Sequence, residues 1–202
     1  AGNLLGSEQS GHVAGVGFDL YCRLLKQSVA RLKGDEKTFR PRATVRLDFT
    51  SSGSPEEKSS SHSESFKEKG ELLGAYLPEN YAPETRLRID FYRKLANALD
   101  IKELECLQEE LEDRFGKLPM EGEALLLETQ IRCLAEEAGI DRIETNGNSL
   151  QCRLVKGKRK SGTESFIKVA GRFPKLTEKD SLLKLKEVTQ FLKLHIHARK
   201  VE

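Results

Sequence analysis

Apolar and polar positions along the chain alternate between two periods. Residues 17–33, "GFDLYCRLLKQSVARLK", place Phe18, Tyr21, Cys22, Leu25, Val29 and Leu32 at steps of three and four. That spacing makes one apolar stripe and predicts a helix. Gly34 is its natural stop. In "ATVRLDF", residues 43–49, the step shortens to two: Ala43, Val45, Leu47 and Phe49 face one way, and Thr44, Arg46 and Asp48 the other. This is a half-buried strand. "ELLGAYLP" at 71–78 reads as a second strand entering a rigid turn, "ENYA", between Pro78 and Pro83.

Three helices are expected next. The first runs from about 83 to 99 with a buried row of Leu87, Phe91 and Leu95, joined by Tyr92 and Leu99. The second opens on Asp100 with Glu103 three residues later, a capping pattern, and carries Leu104, Leu107, Leu111 and Phe115 to a stop at Gly116. The third begins at Pro119 as a first-turn residue and runs through Leu126, Gln130, Cys133, Leu134 and Ala138 to Gly139. The period then returns to two. Ile143 and Thr145, the turn "NGN" at 146–148, and Leu150, Cys152 and Leu154 give a hairpin. A turn at 156–162 leads to a strand in "ESFIKVAG", 164–171, and a last helix spans about 178–194. The segregation of helices and strands predicts an α+β fold, a largely antiparallel sheet with several helices packed on it, preceded by an N-terminal loop and helix.

Residues 50–70, "TSSGSPEEKSSSHSESFKEKG", hold one aromatic among serines and charges. They bury too little apolar surface to offset an ordering entropy of roughly 1–2 kcal/mol per residue. The expectation is a disordered, solvated insertion. The charge is nearly balanced, 34 Lys and Arg against 32 Asp and Glu, a formal net of +2, so no global field favours nucleic acid or anionic membrane. Any such binding needs a local patch. No apolar run reaches the roughly 18 residues of a membrane span. Cys22, Cys106, Cys133 and Cys152 lack zinc-knuckle spacing, and three of them sit in apolar patterns, as expected of reduced thiols in a cytoplasmic protein.

Candidate chemistry is sparse. The opening "GNLLGSEQSGH" is neither a dinucleotide fingerprint nor a P-loop, and no strand leads into it. His195 and His197 would share a face in a strand, but no third ligand follows at metal-site spacing, so no metal is expected. Glu109, Glu110, Glu112 and Asp113 read as a solvated helix face. No catalytic residues are assigned. The densest positive cluster is Lys156, Lys158, Arg159 and Lys160. It could contact phosphate as an autonomous DNA-binding module, or be an ordinary exposed hairpin tip.

"GNLLGSEQSGH" followed by "GFDLYCRLL" resembles the end of the translocase module in bacterial transcription-repair coupling factors. "AYLPENYAPETRLRIDFYRKLA" (75–96), "LEDRFGKLP" (111–119) and "IRCLAEEAGI" (131–140) resemble signature stretches of the C-terminal domain in the same family, in the same order. The resemblance implies a part of an ATP-driven translocase on double-stranded DNA, with residues 1–40 as the tail of the translocase module and residues 41–202 as the C-terminal regulatory domain. That enzyme displaces stalled RNA polymerase and recruits nucleotide-excision repair through UvrA. Its motor, with ATP and Mg as cofactors, lies upstream in the family, so this part is expected to need no cofactor and to be no enzyme by itself. The C-terminal domain is implied to be an autoinhibitory clamp that packs on the UvrB-like module and masks the UvrA-binding surface. Gly2, Gly6, Gln9 and Gly11 match the translocation motif that couples ATP hydrolysis to movement. Arg86, Tyr92, Arg114 and Phe115 also match family positions, with structural roles expected.

Overall fold

The structure, a computed structural model, describes residues 42–52, 72–155 and 165–201. The helix expected at 17–33 and most of the serine-rich tract lie outside the described residues. The elements in chain order are β1 (Thr44–Arg46), β2 (Thr50–Ser52), β3 (Leu73–Ala75), α1 (Thr85–Asn97), α2 (Ile101–Phe115), α3 (Met120–Ala138), β4 (Ile140–Asn146), β5 (Ser149–Leu154) and α4 (Ser181–Val201). The fold is α+β. Its longest ladder is the antiparallel β4–β5 hairpin, and β1 adds to β4 in parallel, with Val45 opposite Ile143. β2 and β3 form a separate parallel pair.

The alternation read at 43–49 holds: Ala43, Leu47 and Phe49 are buried, and Thr44 and Arg46 are exposed. The strand itself is shorter, because the chain turns at Asp48. The Asp48 carboxylate accepts from the Thr145 hydroxyl (2.8 Å) and the Gly147 N–H (2.7 Å), and its own N–H donates to Thr145 Oγ1 (2.9 Å). These bonds replace the ladder and swing the chain into β2. Thr50–Ser52 therefore form a strand paired with β3, which corrects the expected start of the insertion at residue 50.

The helices start and stop where their chemistry directs. Asp100 accepts from the Glu103 N–H at 2.9 Å, and Glu103 accepts from the Leu99 N–H at 2.9 Å, a reciprocal cap that separates α1 from α2. Pro119 stands one residue ahead of α3, as its cap rather than its first turn. Gly139 ends α3 in the left-handed region at φ 71°. In the hairpin, Gly147 takes φ 59° at the first position of a two-residue loop, a conformation that a side chain would strain. The strand expected at 164–171 is not continuous. Ser165 and Ile167 bond to the free edge of β5, residues 168–173 leave it as a small hairpin, and the chain rejoins β5 through Pro174 and Leu176. Pro174 has no N–H to extend a ladder.

α3 is the central element, touching α1, α2, α4 and strands β1, β3 and β4. Its inner residues Ile131, Leu134, Ala135 and Ala138 share the main core with Ile140, Ile143, Leu150 and Cys152 of the sheet and with Leu185, Val188 and Leu192 of α4. α4 runs past the expected end at 194, since Ile196 still packs on that core. A smaller cluster of Leu77, Phe91 and Leu111 holds α1 to α2.

The entry to α4 is clamped by Glu187. It accepts from the N–H groups of Thr177 (2.9 Å) and Glu178 (3.1 Å) and from the Thr177 hydroxyl (2.9 Å). Burial pushes the Glu187 carboxyl up, but the backbone bonds from Glu178 and Thr177, the Thr177 hydroxyl and the charge of Lys184 outweigh it, and its pKa lies below the ordinary value. A lowered folded pKa contributes stability above the unfolded value that is lost as pH falls through the folded one. Glu187→Gln is therefore expected to destabilise the domain at neutral pH, and the gap from the parent should close in acid. Urea midpoints across a pH series would show it; a gap that stays constant into acid would contradict the clamp.

Candidate functional site

The sequence signature at 75–96 proves to be a set of struts. The Leu77 N–H donates to the Tyr92 hydroxyl at 2.8 Å. The Arg88 guanidinium donates to the carbonyls of Ala82 (2.8 Å) and Pro83 (3.0 Å) and to Glu79 (2.6 Å), which holds the "ENYA" turn on the start of α1. The Tyr81 hydroxyl donates to the carbonyls of Gly116 (2.8 Å) and Leu111 (3.2 Å), capping the end of α2. Burial and, secondarily, Glu112 raise the Tyr81 phenol, so it remains a donor. Phe115 packs on Tyr81 and Phe91 at centroid distances of 5.6 Å and 6.2 Å. Arg114 pairs with Glu110 at 2.9 Å and lies 5.9 Å from the centre of the Phe91 ring. Tyr92, Arg114 and Phe115 thus have the structural roles expected of them, while Arg86 is exposed.

These struts present α2 outward. The helix buries only Leu104 and Leu111, and Glu103, Glu105, Glu109, Glu112 and Asp113 are exposed. The result is a firmly held, mostly acidic face. Between α2 and α3 lies a groove of about 330 Å³, with Leu104, Leu118 and Leu126 in its floor and Glu105, Glu112 and Lys117 on its rim. A larger open cleft of about 620 Å³ runs beside β1, lined by Arg46, Asp48, Thr50, Glu128, Glu144 and Gln151. Asp48 and Glu128 are both engaged there, Asp48 by the hairpin turn and Glu128 by the Thr50 hydroxyl.

One polar group went unread in the sequence. Arg132 and Glu136 are both buried on α3, 9% and 4% exposed. Arg132 bonds Glu136 at 3.1 Å and the last carbonyls of α1, Leu95 and Ala98, at 3.0 Å each. Glu136 also accepts from the Ala43 N–H at 3.3 Å, which ties β1 to the helices. The available signal was an Arg and a Glu four residues apart inside an otherwise apolar helix face. The orphan carbonyls at a helix end explain why the Arg is there.

The described residues include no group of three His, Cys, Asp or Glu that could hold a metal ion. The thiols of Cys152, pushed up to about 12 by burial, and of Cys133, raised by burial first, are inert in the core. His195 and His197 lie on α4, where residues two apart point to different sides, and His195 stacks on Phe191. Gly2, Gly6, Gln9 and Gly11 lie outside the described residues, as do Lys156, Lys158, Arg159 and Lys160. Among the described residues no helix is long and apolar enough to cross a membrane.

Comparison with known proteins matches residues 73–165 to the TRCF domain. Among similar proteins, the transcription-repair-coupling factor of Buchnera aphidicola (subsp. Acyrthosiphon pisum, strain APS) is 32% identical over 188 residues, covering 92% of this chain and 20% of that protein. That of Bacillus subtilis (strain 168) is 30% identical, covering 76% of this chain and 11% of its own length. That of Mycobacterium tuberculosis (strain CDC 1551 / Oshkosh) is 36% identical, covering 69% and 10%. A solved structure, the crystal structure of the C-terminal domain of a transcription-repair coupling factor, aligns with a TM-score of 0.48 and 20% identity, covering 77% of this chain and 96% of that one. The chain therefore spans a tenth to a fifth of the length of these curated relatives. The matched stretch takes in the struts, the α2 face, the buried Arg132–Glu136 pair and the hairpin, and the chain belongs to the transcription-repair-coupling factor family, as its C-terminal part built around a TRCF domain.

Proposed function

We propose that this chain is the autoinhibitory domain of a transcription-repair coupling factor, the ATP-dependent DNA translocase that displaces stalled RNA polymerase and recruits nucleotide-excision repair. In this reading it performs no chemistry of its own. It packs on the UvrB-like module of the same protein and covers the surface that UvrA binds. The observation that supports it is the outer face of α2. A helix that buries two residues and turns Glu105, Glu109, Glu112 and Asp113 to solvent offers a polar, charge-selective contact rather than a permanent apolar one. Interdomain contacts of that kind open and close, and a bias of a few kcal/mol between closed and open states is enough to switch a partner site. Charged contacts also set which surface docks, since like charges brought together are strongly disfavoured.

The test uses the full-length protein carrying this chain. Reversing the face with Glu109→Lys, Glu112→Lys and Asp113→Lys together should raise UvrA affinity at least about ten-fold, the effect of removing roughly 1.4 kcal/mol of masking. All three residues are exposed, so the fold should tolerate the change. Unchanged UvrA affinity in a normally folded variant would remove the α2 face from the masking contact.

A further inference from the structure

We propose that the outward side of the segment that pairs with the outer edge of β5, presenting Phe166, Lys168, Phe173 and Lys175, is a contact surface for single-stranded nucleic acid. Phe166 sits opposite Arg153, and Lys175 sits opposite Ser149. Both therefore stand on the half-buried side of β5, away from buried Leu150 and Cys152. The hairpin between them turns at Ala170 and Gly171, with φ of 50° and 76°, and Val169 and Arg172 exchange backbone bonds of 2.8 Å and 3.0 Å. That tight return brings Phe173 edge-on to Phe166 at 5.7 Å and the Lys168 ammonium 5.7 Å from the centre of the Phe173 ring. Two partly exposed rings thus lie among cations.

The charge is one-sided. Residues 165–175, "SFIKVAGRFPK", contain no acidic residue. Lys168, Arg172 and Lys175 are exposed, and none has an ion-pair partner among the described residues. Arg153 on the same side is already held by Asp141 through bonds of 2.8 Å and 3.2 Å, so that carboxylate does not offset the lysines. Exposed cations on a segment that itself carries no carboxylate suit a phosphate backbone, and partly exposed aromatic rings between them suit unpaired bases, which stack regardless of sequence. A duplex offers the phosphates but keeps its bases stacked inside. The acidic face belongs to α2, a different element, and shares no residue with this site.

The experiment is a salt titration of the full chain with a labelled oligothymidylate and with a duplex of equal length, read by fluorescence anisotropy. The chain should bind the oligothymidylate more tightly than the duplex. Lys168→Ala with Lys175→Ala should lower the slope of log affinity against log salt by about 1.4, at about 0.7 for each cation removed from a single strand. Phe173→Leu, which keeps an apolar group, should weaken binding at least about five-fold and leave that slope unchanged. The proposal is overturned by equal binding of duplex and single strand, by no binding, or by an unaltered slope in the double lysine variant. It is also overturned if Lys158→Ala with Arg159→Ala removes all binding by itself. UvrA affinity of the full-length protein should not respond to Lys168→Ala and Lys175→Ala, which separates this site from α2.

Discussion

Replacing Arg132 with Met should destabilise the domain by about 3–5 kcal/mol, the range for breaking one side of a buried ion pair. The loss has two sources. Glu136, 4% exposed, is left charged without its partner. The carbonyls of Leu95 and Ala98, each 3.0 Å from the guanidinium, lose their charged donor at the end of α1 and keep only the Ala98 N–H and the Cys133 thiol. With a urea slope of about 2 kcal/mol per molar, the midpoint should fall by roughly 2 M. Arg132→Met combined with Glu136→Leu should recover part of the loss, since the uncompensated charge is gone while the carbonyls of Leu95 and Ala98 still lack the guanidinium. A double variant as unstable as the two single effects added together would mean that the pair is not coupled as the geometry indicates.

Phe91→Ala should cost about 3–5 kcal/mol as well, by a different mechanism. Phe91 is 2% exposed and fills the space between Leu77 and Leu111, with Phe115 against its edge and the Lys94 ammonium 5.1 Å from its ring centre. Truncation empties the small core that holds α1 against α2. Phe91→Leu should cost much less, since most of the volume is kept. Amide exchange would locate the damage: protection should fall first in α1 and α2 and last in α3 and α4. A uniform loss of protection, or a cost under about 1 kcal/mol, would show that the α1–α2 layer does not rest on this ring.

The comparison of sequence and structure divides along physical lines. Periodicity located α1, α2, α3 and the β4–β5 hairpin because each of them buries one regular face, and burial is what the pattern records. The reciprocal cap of Asp100 and Glu103 was readable for the same reason: its partners lie within four residues. Strand order was not readable. β1 joins β4 across nearly a hundred residues of sequence, in parallel, and nothing local in "TVR" encodes that choice. The break at Asp48 was hidden because its partners, Thr145 on β4 and Gly147 in the turn after it, lie nearly a hundred residues further along the chain.

The candidate surfaces divide in the same way. The acidic run on α2 was plain in the sequence, but whether it was exposed depended on Tyr81 and Phe91 holding the helix end through Gly116, Leu111 and Phe115. The aromatic and basic face at 166–175 was not readable, since residues 164–171 looked like one ordinary strand. It exists because residues 168–173 leave the β5 edge and fold back, which sets Phe173 beside Phe166.

By itself, the sequence determined the helical core faces, the caps, the hairpin turn and a family resemblance carried by three ordered stretches, all matters of neighbouring residues. Only the tertiary structure decided how β1 and β2 pair, why Arg132 and Glu136 are buried together, and which charged residues share a surface. Those are contacts between residues far apart in the chain, and their energy depends on geometry that no local pattern contains.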